Sequence, residues 1–417
     1  METVQTKKSR LLPIFIVFFV DNFGFSLVFT LFAPLLLNLS FGLVEPSYTV
    51  ATRNMLIGVL FSVFPLAQFF GAPFIGDFAD HYGRKKAFVF SLFGAVVGYV
   101  LSALGVIFHS FTILVISRFI SGFCAGNLGI CLASIADLSH SERSRGRNYG
   151  FLATIAGVSW ICSMIVGSYL ADPRFGRDFN PAVPFLISAF LCLLALVCVI
   201  FYYHETRVLK DRPLEVDFSV GMKNILTAFK ITEVRFLYFI YFLWIVGWGA
   251  VIQWFTPYAI EKFHIVTEDM AWGLILFGIS WSIGGAVLNY ILLKKIKSHL
   301  AVIFSLIFST ILVGVSSFFN SYEYFAISIV LSAGFGGVAM ANILNLISMT
   351  APYHMQGKVM GLSQSVIALS WILGPLIGGA FAREGIRDIY LFATAFIFLT
   401  LMLVVIKYQM KKENKIA

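Results

Sequence analysis

Long apolar runs recur from one end of this chain to the other, and that recurrence constrains its fold more than any other feature. Runs above about 18 residues are long enough to cross a bilayer as helix. Twelve are legible here: 11–37, 54–78, 85–108, 111–136, 148–171 and 182–203, then 235–258, 271–293, 298–319, 322–349, 359–382 and 387–407. In hydrocarbon every backbone polar group must pair within its own segment, and the runs do not alternate as strands would, so they read as helices. Only 12% of residues are charged and 59% are hydrophobic, whereas soluble domains carry about 25% charged residues. The first run follows Lys7, Lys8 and Arg10 and holds Asp21. It is too long for a signal peptide and lacks a small-residue cleavage site, so it counts as the first span.

The basic residues orient these spans. With an even number of spans both ends share one side, and 23 of the 30 Lys and Arg fall on that side, against six on the other. The basic side is the cytoplasmic one, so both termini are expected in the cytoplasm and the chain in the cytoplasmic (inner) membrane. The net charge of +9 is thereby assigned to orientation in a lipid bilayer, and no nucleic-acid partner is expected. The five cysteines (Cys124, Cys131, Cys162, Cys192, Cys198) lie in apolar runs without ligand spacing, so no disulfide, metal site or cofactor is expected. No nucleotide-binding Gly-rich loop with Lys-Ser/Thr is present, nor a cluster of His, Cys and acids at membrane depth, and an enzyme is not expected.

The longest hydrophilic stretch, 204–234, divides the spans six and six. The expected domains are a bundle over 1–203, a cytoplasmic linker over 204–234 and a second bundle over 235–417. In the linker Met222, Ile225, Leu226 and Phe229 have helical spacing, which suggests a short amphipathic helix, with a plain solvated linker as the alternative. The halves repeat: Gly146, Gly150, Ser159, Trp160 and Gly167 recur 211 residues later as Gly357, Gly361, Ser370, Trp371 and Gly378. The fold class expected is an all-α membrane protein of twelve transmembrane helices in two six-helix pseudo-repeats.

Between the second and third spans the chain reads Gly76-Asp77-Phe78-Ala79-Asp80-His81-Tyr82-Gly83-Arg84-Lys85-Lys86. Gly83 suits a tight turn and the basic run suits the cytoplasm. The fourth span holds Arg118-Phe119-Ile120-Ser121-Gly122, with Asp137 at its end. Gly122, Gly126 and Gly129 read as a packing face. These stretches resemble the loop signature and the R-x-x-x-G motif of the major facilitator superfamily. With Asp21, His204-Glu205-Thr206-Arg207, Gln356-Gly357 and Gly374-Pro375 they resemble its drug/proton antiporter branch, the tetracycline/proton antiporters above all. The resemblance implies the major facilitator fold with solute handled near the midplane, a gating role for Gly76, Asp80, Gly83, Arg84 and Asp137, and a monomer. The sequence departs from the branch where its fifth-span G-P-x-x-G-G element reads Ser163-Met164-Ile165-Val166-Gly167-Ser168, and where 298–319 hold no acid.

Asp21 and Arg118 are the charges placed deep inside spans. Intramembrane ionisable residues mark function by default, so Asp21 is the expected proton-coupling acid and Arg118 its modulator or an anion-binding group. A static Asp21–Arg118 ion pair is the structural alternative. Candidate solute contacts are Asn22 and Asn127 in the first half. In the second half they are Tyr241, Trp244, Trp248, Gln253, Trp281, Asn342 and Asn345, an aromatic and amide set suited to an apolar or amphipathic organic solute. The leading expectation is proton-coupled export of a small organic solute by alternating access. Proton-coupled uptake of a nutrient, metabolite or siderophore is the alternative, favoured by the broken fifth-span element. A membrane sensor built on the same fold is the reading from another class.

Overall fold

The computed structural model describes residues 4–38, 41–138, 142–170, 180–206, 223, 226–227, 230–231, 234–265, 267–350, 356–382 and 385–413. The linker positions Met222, Ile225 and Phe229, on which the amphipathic helix depended, lie outside them. All regular structure in the described residues is helical. The helices are α1 (Val4–Leu37), α2 (Val50–Tyr82), α3 (Arg84–Ile107), α4 (Phe111–Phe123), α5 (Asn127–Leu138), α6 (Glu142–Leu170) and α7 (Ala182–Tyr202). The second series is α8 (Arg235–Gln253), α9 (Phe255–Phe263), α10 (Thr267–Ile283), α11 (Asn289–Leu293), α12 (Ser298–Ser316), α13 (Tyr322–Thr350), α14 (Gln356–Ala382) and α15 (Ile386–Glu413). Among the described residues, eleven stretches are long and apolar enough to cross a membrane, and Thr154–Tyr169 within α6 is a shorter twelfth.

Two expected spans are not continuous helices. The fourth breaks at Cys124–Gly126 into α4 and α5, which sets Asn127 at the first position of a new helix. The seventh breaks at Trp254, whose backbone leaves the helical region at φ −97 and ψ 5, and restarts as α9. The eighth passes through a π-helical turn, Gly284–Leu288, between α10 and α11. There Gly284 lies against the backbone of Gly334 on α13, where a β-carbon would overlap. Small residues let helix backbones meet where lipid supplies no hydrophobic drive.

The chain resolves into two compact units, one formed by Met1–Pro46 and Val63–Gly221, the other by Ser47–Ser62 and Met222–Ala417. The later division falls within the expected linker, but the first half of α2 joins the second unit. There the Ser62 hydroxyl donates to the Ile372 carbonyl at 3.0 Å, and Gly58 lies against Pro375 and Gly379 of α14.

Inside the units the sequence repeat has a direct counterpart. In the first, Ser159 of α6 donates to the Phe19 carbonyl of α1 at 2.6 Å; in the second, its counterpart Ser370 of α14 donates to the Phe242 carbonyl of α8 at 3.4 Å. Two turns further along, a β-carbon on Gly167 would overlap Thr30 of α1, and one on Gly378 would lie 2.6 Å from the Trp254 indole nitrogen. The repeated Ser and Gly therefore encode one helix–helix contact used twice.

Candidate functional site

Three constellations emerge, the first around Asp21. Its Oδ1 accepts from the Asn127 amide at 3.1 Å, and Asn127 Oδ1 in turn accepts from the Ser91 hydroxyl. Asn127, set at a helix start by the break in α4–α5, is thus fixed as a donor toward Asp21. Arg118 is 1% exposed. It hydrogen-bonds with Tyr99, and its guanidinium sits 4.6 Å from the Phe64 ring centre and 5.7 Å from that of Phe32. Its Nε and Nη1 have no hydrogen-bond partner.

Asp21 and Arg118 form no ion pair. Tyr99 is the neighbour they share: it lines the same small cavity as Asp21 and hydrogen-bonds with Arg118. Gly24, one turn from Asp21, makes this possible, because a β-carbon there would fall on the Tyr99 hydroxyl. Asp21, Tyr99, Asn127, Ser121 and Cys192 line a small cavity with about 10 Å³ of room for the centre of a water molecule, about one water's worth. Asn22, by contrast, donates to the Phe18 carbonyl of its own helix at 2.8 Å. Tyr99 was invisible to sequence reasoning: one tyrosine in an apolar run carries no spacing signal, and its partners lie on other helices.

The second constellation is the loop signature. Gly83 has φ +97, a left-handed conformation that favours glycine, and it separates α2 from α3. Asp80 and Gly76 belong to the last turns of α2 rather than to a loop. Arg84 donates to Asp137 Oδ2 at 2.5 Å and to the Thr206 hydroxyl at 3.1 Å. Glu205 Oε2 accepts from the Lys85 backbone N–H at 3.0 Å, placing a carboxylate at the positive end of α3. The His204–Arg207 stretch thus supplies two groups to the same cluster. Gly122 and Gly126 pack on Phe64 and Ile75 of α2, while nothing lies within 4 Å of a β-carbon at Gly129.

The third constellation lies in the second unit. Trp248 stacks on Trp244 and on Trp281, each with ring centres 5.3 Å apart, and on Phe277 at 5.7 Å. Gly336 of α13 accommodates the edges of Trp248 and Trp281. The Tyr241 hydroxyl points at the Met340 sulfur at 3.5 Å. The buried Trp244 indole N–H, Gln253 Oε1 and Asn342 Oδ1 have no hydrogen-bond partner, although Asn342 donates to Asn289 at 2.6 Å. Asn345 is instead tied to Ser298 at the start of α12, at 2.9 Å and exposed.

A bundle of membrane-length helices with a half-buried acid, a buried guanidinium and an aromatic column defines a polytopic membrane transporter. The chain belongs to the Major Facilitator Superfamily, whose sequence model matches residues 14–321 and 299–416. It is 26% identical over 342 residues to the class B tetracycline resistance protein of Escherichia coli, with 77% of each chain covered. It is likewise 26% identical over 373 residues to the quinolone resistance protein NorA of Staphylococcus aureus (strain MSSA476), covering 85% of this chain and 89% of that one. Among solved structures the D-xylose–proton symporter matches with a TM-score of 0.75 at 15% identity, over 95% of this chain and 96% of that one. The human organic anion transporter MFSD10 matches with a TM-score of 0.69 at 18% identity, over 95% and 99%. These two likenesses show a shared fold.

Proposed function

We propose that the protein exports a small, flat organic solute in exchange for protons, with Asp21 as the proton carrier. The observation that carries this reading is that Asp21 and Arg118 form no ion pair and share Tyr99 as a neighbour. Asp21 has a neutral amide as its partner, so it can bind and release a proton without breaking an ion pair. The Tyr99 hydroxyl can donate toward one charge and accept from the other, so a change of charge at Asp21 is felt at Arg118. Groups of this kind, buried and held by polar neighbours, are the usual proton relays of membrane proteins.

The tryptophan column, with the unpartnered Trp244 N–H beside it, suits a planar solute bearing a hydrogen-bond acceptor. The relatives named for tetracycline and quinolone resistance support outward transport, since a membrane transporter confers resistance by lowering the drug concentration inside. The Arg84–Asp137 pair with Glu205 and Thr206 is the cytoplasmic latch of this reading, together with Asp80, Gly76 and Gly83. The two six-helix halves, 1–203 and 235–417, are its moving parts. It places the chain in the inner membrane as a monomer with both ends in the cytoplasm.

Proteoliposomes loaded with a pH dye test it, using a panel of flat aromatic solutes that includes tetracycline and a quinolone. Solute-dependent proton flux that disappears in Asp21→Asn supports the reading, and flux opposite to the solute marks export. Flux in the same direction as the solute would establish uptake by symport instead. Unchanged flux in Asp21→Asn would remove Asp21 from the coupling role.

A further inference from the structure

We infer that the turn joining α11 to α12 holds the phosphate of an anionic phospholipid. The inference rests on the orientation proposed above, with this end of the second unit in the cytoplasm, and not on proton coupling.

The turn borders a cavity of about 490 Å³, the size of a small-ligand site. Lys294, Lys295 and Lys297 line it from the turn, His299 from the first turn of α12, and Leu346 and Met349 from the last turns of α13. Its walls are fixed by observed contacts. The Lys295 and Ile296 N–H groups donate to the Leu292 carbonyl at 2.9 and 2.8 Å, which closes the turn. The Asn345 amide of α13 donates to the Ser298 hydroxyl at 2.9 Å, and the His299 ring stacks on Tyr408 of α15 with centres 4.6 Å apart. Lys294 Nζ lies 4.3 Å from the centre of the Tyr290 ring, so this ammonium is held back along α11, toward the apolar part of the segment.

The cavity has no counter-charge of its own. The sequence holds no Asp or Glu over 270–322 or 324–383, so α11, α12 and the part of α13 that meets them carry no carboxylate. The end of α15 reads Lys411-Lys412-Glu413, which is net positive. Ammonium groups gathered round one concavity repel one another. The start of α12 adds the positive end of a helix with no side-chain cap at Lys297. An anion relieves both, and the apolar wall selects its kind. Met349 is 71% exposed, and Tyr290 and Leu293 are exposed beside the lysines. A free phosphate would leave these groups in water. A phospholipid covers them with its glycerol and first acyl carbons while its phosphate meets the ammonium groups. Basic pockets between membrane helices at the cytoplasmic side take anionic headgroups in this way. In the sequence the three lysines signify orientation; the cavity gives them a ligand.

Native mass spectrometry of the detergent-purified full chain tests the site, with phosphatidylglycerol, phosphatidylcholine and inorganic phosphate titrated separately. One phosphatidylglycerol should bind more tightly than either of the others. A lysine at an anionic lipid surface contributes about fivefold in affinity, so Lys294→Gln, Lys295→Gln and Lys297→Gln together should weaken it about a hundredfold. Lys294→Arg, Lys295→Arg and Lys297→Arg together should retain it, and so should Lys223→Gln with Lys230→Gln, which removes charge from the linker instead. Met349→Gln should weaken the lipid and leave inorganic phosphate unchanged. Equal affinity for phosphatidylglycerol and phosphatidylcholine, or an unaffected triple Gln variant, would overturn the site. So would an equal loss in the linker variant, which would mark a diffuse charge effect. Inorganic phosphate binding as tightly as the lipid, with Met349→Gln without effect, would overturn the lipid as occupant. None of these readouts uses proton flux, so this site and the role of Asp21 stand or fall separately.

Discussion

Replacing Tyr99 by Phe removes one oxygen atom and nothing else, and it isolates what that hydroxyl does beside the buried Arg118 and the half-buried Asp21. The ring keeps its place over Gly24, so no large cavity is opened. What is lost is the hydrogen bond to the Arg118 guanidinium, whose Nε and Nη1 are already unpartnered. Hydrogen bonds to charged groups contribute about 1.5–3 kcal/mol. The cation–π contacts of Arg118 with Phe64 and Phe32 remain, so they do not change the difference. One water could enter the adjoining cavity and recover part of the loss, leaving a net cost of about 1–2 kcal/mol. In a chain of 417 residues that corresponds to a fall of only a few degrees in thermal midpoint in detergent. The decisive assay is therefore a double-mutant cycle, because subtraction cancels effects common to both backgrounds. With Arg118→Met as the second background, Tyr99→Phe should cost less than about 0.5 kcal/mol, since no charge is then left to satisfy. Solute-driven proton flux should fall in Tyr99→Phe while solute binding persists. Equal costs in both backgrounds, with coupling intact, would refute the role given to Tyr99.

Gly83→Ala should lower the thermal midpoint by an amount equivalent to about 1–3 kcal/mol, because φ is +97 there. Gly76→Ala in the same signature should be neutral or slightly stabilising, since it is helical and nothing lies within 4 Å of the new β-carbon. In transport assays, Arg84→Ala and Asp137→Asn should each impair flux, and the exchanged pair Arg84→Asp with Asp137→Arg should restore part of it. The stability cost should stay near or below about 1 kcal/mol, as the Asp137 side chain is 38% exposed and screened by water. Gly167→Ala should destabilise the α1–α6 contact through overlap with Thr30. Adding Thr30→Ala should return most of the thermal midpoint, and failure to do so would show that the close approach is not what selects glycine there.

The sequence by itself determined the helical class and the recurrence of membrane-length apolar segments along the chain. Each depends on local hydropathy, and a bilayer turns local hydropathy directly into architecture because unpaired backbone has no water to turn to. The repeat was legible for the same reason, and Ser159 with Ser370, and Gly167 with Gly378, keep equivalent contacts in each unit. Asp21 and Arg118 also stood out, since a charge within an apolar run is conspicuous in one dimension. Their relation did not: whether two helices turn those side chains toward each other depends on helix rotation and on the absent β-carbon of Gly24, which admits Tyr99 as their shared neighbour. The break before Asn127, the stacking of Trp244, Trp248 and Trp281 and the tie of Asn345 to Ser298 were likewise decided by tertiary structure. Apolar periodicity says that a face is buried, but only packing fixes which buried polar atom meets which, and those pairings carry the chemistry.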